Sequence, residues 1–209
     1  GVEHAVIIMV IPIAVLNAWL VWTHREQVAE VKELPRLLIW GCPGALVGAW
    51  ILITAGDLVL SNFLALWILA YLAIRLMRPD LKLSQSMRRR LSPGIGLLAG
   101  AFQTSTGISL PILATYFHSL ALEPRAYIFA ISTLFLVFGI VHFSALVTLK
   151  AYTPELLGQS VLALLPAFAT IPLGVRLSRR IDQRFFGKLL AGVLLLSATK
   201  ILYEAWGTY

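Results

Sequence analysis

Charge is scarce in this 209-residue chain: 13% of its residues are Asp, Glu, Lys or Arg, against about 25% in ordinary soluble domains. Cysteine is scarcer still. Cys42 stands alone, which excludes a disulfide framework, a Cys-based zinc site and a CxxC redox pair and leaves a small packing residue. Acids are missing from the interiors of the apolar runs. Asp57 sits in a tight turn and Asp182 in a basic segment, so the buried carboxylate that a cation pump or proton relay needs is absent. No HExxH, GxSxG or Walker pattern occurs, which leaves a membrane protease or ATPase without residues. No catalytic dyad, metal-ligand set or cofactor motif is found, and the chain reads as a non-enzyme.

Apolar residues are abundant instead, at 59%, with a mean hydropathy of +0.85. A soluble globular domain and a disordered chain are both excluded. Six runs are long enough to cross a bilayer core of about 30 Å as helices: Ala5–Trp22, Leu37–Ala55, Leu58–Met77, Ala126–Leu149, Leu156–Val175 and Leu189–Trp206. Trp19, Trp22, Trp40, Tyr152, Tyr203 and Trp206 lie near run ends, where interfacial aromatics anchor. Pro12, Pro43, Pro166 and Pro172 fall inside runs, as hinges or as tolerated kinks.

The net charge of +7 is a matter of topology. Basic residues collect in cytoplasmic loops. Placing Arg25–Arg36, Arg75–Arg90, Arg125 and Arg176–Lys188 on the cytoplasmic side accounts for all of the 17 basic residues except Lys150 and Lys200. Nucleic-acid binding then has no support.

That assignment puts both flanks of Gly94–Leu122 on one side. As a single helix this segment would run about 43 Å, too long for one crossing, and it is too short for two. It is predicted to be a re-entrant, broken-helix hairpin whose polar tip lies near mid-depth, tolerated only where it is buried in protein or lines a watery cavity. The spans on either side form two triplets, residues 1–78 and 94–209, joined by a basic linker over residues 79–93. An offset of 126 pairs Gly48 with Gly174, although letter identity at that offset is near chance. The first triplet begins outside and the second inside, the pattern of inverted repeats. The symmetry also predicts a counterpart hairpin of roughly 30 residues ahead of Gly1. The fold class is thus all-α: a polytopic membrane protein with inverted-topology helical repeats and a re-entrant hairpin.

The hairpin tip is the strongest candidate site. Gln103, Thr104, Ser105, Thr106 and Ser109 offer donors, Gly107 permits close backbone approach, and a helix N-terminus at mid-depth favours an anion. The plain alternative is a capped helix break with no ligand. His142 lies deep in its span, as an added donor, a carrier of a coupled proton, or a histidine bonded to a neighbouring helix. Ser132 could face the hairpin or back-bond to its own helix. Asn17 could touch a ligand, but it is also the kind of residue that joins helices. His118, near the hairpin's return to the surface, reads as structural.

The stretch GLLAGAFQTSTGISLPILATYFHSL, followed by PRAYIFAISTLFLVFG and ALLPAFATIPLGVRLSRRI, resembles the TauE/SafE sulfite exporter family, also called the toluene-sulfonate uptake permease family. It departs from the family's glycine cluster and Gly-Pro, since Ser-Thr-Gly-Ile-Ser-Leu-Pro stands in their place. The resemblance implies a permease of sulfite, sulfonates or related small anions in the bacterial inner membrane. Its partners would be the anion and the lipid bilayer, with homo-oligomerisation left open. The rivals are a non-transporting membrane scaffold or accessory subunit, a membrane enzyme, and a passive channel.

Overall fold

A computed structural model describes residues 1–77, 85–109, 112–113, 116–117, 120, 122–178, 191–193, 195–201 and 203. Among these residues every regular element is helical. Helix α1 spans Val2–Thr23 and is followed by a short 3₁₀ helix over Arg25–Glu30. Helices α2 (Leu34–Thr54), α3 (Asp57–Met77) and α4 (Gln85–Thr106) come next. Helices α5 (Pro124–Thr148) and α6 (Pro154–Ser178) lead to a closing apolar helical stretch over Ala191–Ile201.

Helices α1, α2, α5 and, over Pro154–Ile171, α6 are long and apolar enough to cross a membrane. Asp57–Ala70 and Ala191–Ile201 are shorter apolar helices. The surface agrees with that reading. Trp50, Leu66, Leu162 and Leu165 are each more than half exposed, as side chains that face hydrocarbon can be without cost. Pro12 and Pro43 lie within the continuous helices α1 and α2, as does Pro93 within α4. Pro93 has no N–H for the Arg89 carbonyl; the Ser92 hydroxyl donates to that oxygen at 3.2 Å.

Helix α4 differs from the sequence expectation at its start. It begins at Gln85, not Gly94, so the Arg88-Arg89-Arg90 turn, expected in the linker, is helical. Ser92 stabilises the proline step, Gly94, Gly96 and Gly100 stay helical, and the helix ends at Gly107.

Among the described residues, α2 and α4 pack backbone against backbone. A Cβ placed at Gly44 would meet the Leu97 carbonyl, one at Gly48 the Ala101 carbonyl and the Thr104 hydroxyl, and one at Gly100 the Gly41 carbonyl. At Gly96 it would stand 2.7 Å from the Leu37 oxygen. These pairs advance together along both chains, so the two helices run parallel. Glycines at three- and four-residue spacing let the backbones touch, which drives helix association where lipid removes the hydrophobic incentive.

Helices α1 and α5 pack differently. They run antiparallel: Ala14 meets Gly139, while Ile7 and Val10 cluster with Leu146. One end of the bundle gathers Val31, Leu34, Tyr116, Phe117 and Ala126. The opposite end holds Leu52, Leu60 and Leu146, with Tyr152 and Leu156 packed against them. There the Tyr152 hydroxyl donates to Ser160 at 2.5 Å, and Ser160 donates onward to the Leu156 carbonyl at 2.8 Å.

Candidate functional site

Helix α4 ends beside the middle of α2. The Gly107 amide donates to the Gln103 carbonyl at 3.1 Å, closing the last turn. Gly107 itself sits at φ +76°, in the left-handed region that glycine enters without a Cβ penalty. A new turn starts at Ser109, whose carbonyl accepts from Ile112 N at 3.1 Å and Leu113 N at 3.3 Å. The Ser109 hydroxyl donates to Gln103 Oε1 at 2.6 Å. Farther on, Leu113, Tyr116 and Phe117 join the core that contains Ala99, Leu34 and Phe129.

The three hydroxyls before the break are occupied. Thr104 donates to the Ala45 carbonyl of α2 at 2.8 Å, with the Gly100 carbonyl 3.1 Å away. Ser105 donates to Ala101 O at 2.7 Å and Thr106 to Phe102 O at 2.8 Å. Each hydroxyl has one hydrogen to give. In this conformation none of the three has a hydrogen left for a ligand.

Beside the break lies a cavity of about 250 Å³. Its walls are Ala5, Val6, Met9, Val10 and Ile13 of α1, the α4 end with Gln103, Thr104, Thr106 and Gly107, and Phe135, Phe138, Gly139 and His142 of α5. Most of that surface is apolar. Two groups supply its polar character. Because Gln103 Oε1 takes the Ser109 hydrogen, the Gln103 amide nitrogen is the end left to donate. His142 is 4% exposed, and its Nε2 is buried with no hydrogen-bond partner. Such unpartnered atoms are rare in native interiors. Room exists for a small anion with part of its hydration shell, since one water takes about 30 Å³.

The structure therefore brings together Gln103, Thr104, Thr106, Gly107 and His142 out of the residues singled out from the sequence. Ser109 stands behind Gln103 and orients it. Ser105 is buried and bonded within α4. Ser132 is buried on α5, one turn before Phe135, outside the lining. Asn17 donates to the Ile13 carbonyl of its own helix at 2.7 Å and does not reach the cavity. Leu110, Pro111 and His118 lie outside the described residues. Among the described residues no group of His, Cys, Asp or Glu could hold a metal ion.

Sequence reasoning missed the apolar wall. Val6, Val10, Ile13, Phe135 and Phe138 sit in uniformly apolar runs where nothing marks one face. Phe138 was equally unmarked, since its ring fills the space left by Gly41 and that pairing is visible only in three dimensions.

A family model described as sulfite exporter TauE/SafE matches residues 1–201. No curated protein and no solved structure matches the chain significantly.

Proposed function

The chain belongs to the TauE/SafE sulfite exporter family, a family of membrane transporters, and from that premise we propose that it is a secondary transporter of small anions such as sulfite or sulfonates. The anion occupies the cavity between α1, α5 and the end of α4. The Gln103 amide and the His142 ring hold its oxygens, and Val6, Val10, Ile13 and Phe135 face any organic part. Thr104 and Thr106 shape the wall but keep their hydrogens for the backbone. The break at Gly107 is the tip of a re-entrant hairpin, and two inverted triplets of spans rock around it in alternating access. The protein lies in the bacterial inner membrane with its basic end toward the cytoplasm.

The observation that carries this reading is the convergence of Gln103 and His142 on one mostly apolar cavity at a helix break. A few polar groups in an apolar pocket are the usual constitution of a small-ligand site. The test is counterflow of labelled sulfite in proteoliposomes, with unlabelled sulfonates and carboxylates as competitors. Saturable exchange that Gln103→Leu abolishes is the expected result. Absence of exchange with every anion, from protein shown to be folded, would favour a non-transporting scaffold.

A further inference from the structure

Among the described residues, His142 is the cavity's sole ionisable side chain. The charged groups of the surrounding helices lie elsewhere. On α5, Arg125 is 17 residues before His142, about 25 Å along the axis, and Lys150 lies beyond the helix's other end. On α4, Arg90 is 13 residues before Gln103, about 20 Å away. Helix α2 carries its charges, Glu33 and Arg36, as an ion pair at its start. On α1, Glu3 and the exposed His4 precede the lining, and Asp57, at the head of α3, accepts from the Glu3 amide at 3.3 Å. Glu155 opens α6.

Among the described residues no fixed cation therefore faces an anion in this cavity. A lone charge in an apolar enclosure is costly, and a pair of opposite charges with a shared hydrogen bond is much less so. The group able to supply the opposite charge is His142, whose Nε2 is buried and unpartnered.

Resting on the transporter reading above, we infer that the cavity carries a monovalent anion together with one proton on the His142 ring, so that each transport cycle is electroneutral. A proton from water adds to the free lone pair of the neutral imidazole. The resulting imidazolium donates an N–H to an anion oxygen. On the opposite side the anion leaves and the ring returns its proton to water. Nothing is oxidised or reduced. Anion and proton raise each other's affinity by the same factor. One ionisable group supplies one compensating charge, so the site selects monoanions over dianions.

The test uses methanesulfonate, a strong acid that stays ionised and cannot itself carry the proton. Full-length protein in liposomes is first checked for sulfite and methanesulfonate counterflow. An imposed pH gradient is then expected to drive methanesulfonate accumulation of about tenfold per pH unit. A potassium diffusion potential is expected to drive none. His142→Gln keeps a hydrogen-bond donor but cannot be charged. It is expected to abolish gradient-driven accumulation and to flatten the pH dependence of whatever exchange remains.

No counterflow of any anion would defeat the transporter reading, and this inference with it. Sulfite exchange that grows as rising pH converts bisulfite to the dianion would overturn the monoanion assignment alone. Accumulation driven by potential rather than by the pH gradient, or retained in His142→Gln, would overturn the proton assignment alone. Should the variant fail to fold, the potential measurement on the unsubstituted protein still decides.

Discussion

The hydroxyl of Thr104, in the last turn of α4, donates to the carbonyl oxygen of Ala45 on α2 at 2.8 Å. It is a polar tie between two helices whose backbones already touch, and Gly48 leaves the space for it. Interhelical hydrogen bonds of this kind are worth about 0.6 kcal/mol on average and at most about 1.7.

Thr104→Val keeps the shape and removes the tie. The expected loss is about 1 kcal/mol, read as a lowered midpoint in detergent–SDS unfolding, with Thr104→Ser close to the unsubstituted protein. Equal loss in both variants would assign the effect to packing of the γ-methyl.

Gly44→Ala and Gly100→Ala each drive a methyl into a facing carbonyl. Overpacking of this kind costs about 1–3 kcal/mol. At Gly158, in α6, a methyl meets nothing within 4 Å. Gly158→Ala is therefore expected to hold stability or raise it by up to about 1 kcal/mol. The same unfolding assay compares the three.

At Gly107 the penalty is conformational. The nearest atom to an added Cβ is Val6 Cγ2 at 3.8 Å, ordinary contact, but the backbone stays at φ +76°. Gly107→Ala is expected to lose about 1–2 kcal/mol, and Gly107→Asn less, because Asn enters the left-handed region more readily. Equal losses in thermal unfolding would point away from backbone strain.

Ser109→Ala removes the hydroxyl that fixes the Gln103 amide. A lost hydrogen bond of about 1 kcal/mol corresponds to roughly fivefold weaker half-saturation in counterflow, with maximal exchange little changed. Because Ser109 bonds Gln103 Oε1, its loss is expected to weaken half-saturation alone; a fall in maximal exchange as large as that expected of Gln103→Leu would give Ser109 a separate role.

Much of the fold was legible because hydropathy and length are the strongest signals a membrane helix carries. Each of the six runs has a helical counterpart among the described residues, with four long and apolar enough to cross a membrane. Of the site, Gln103–Gly107 and His142 stood out because polar residues and glycine are rare in such runs. The start of α4 was not legible. Pro93 and Gly94 resemble a boundary, and the repair by Ser92 is visible in three dimensions only. Hydroxyl direction was not legible either: Thr104, Ser105 and Thr106 look like donors for a ligand until their carbonyl partners are located. The glycines of α2 and α4 cannot be paired from the sequence, since pairing needs the parallel register.

The two sides of the cavity differ in compliance. On one side, main chain presses on main chain through Gly44, Gly48 and Gly100, leaving no side-chain torsion to absorb a displacement. On the other, Met9, Phe135 and Phe138 meet the void with rotatable bonds. A bulkier occupant would therefore be accommodated by rearranging α1 and α5 side chains, while α4 stayed locked to α2. The break at Gly107 is accordingly tied to α2 as one rigid piece, like a jaw whose counterpart is padded, and size tolerance resides in the padding.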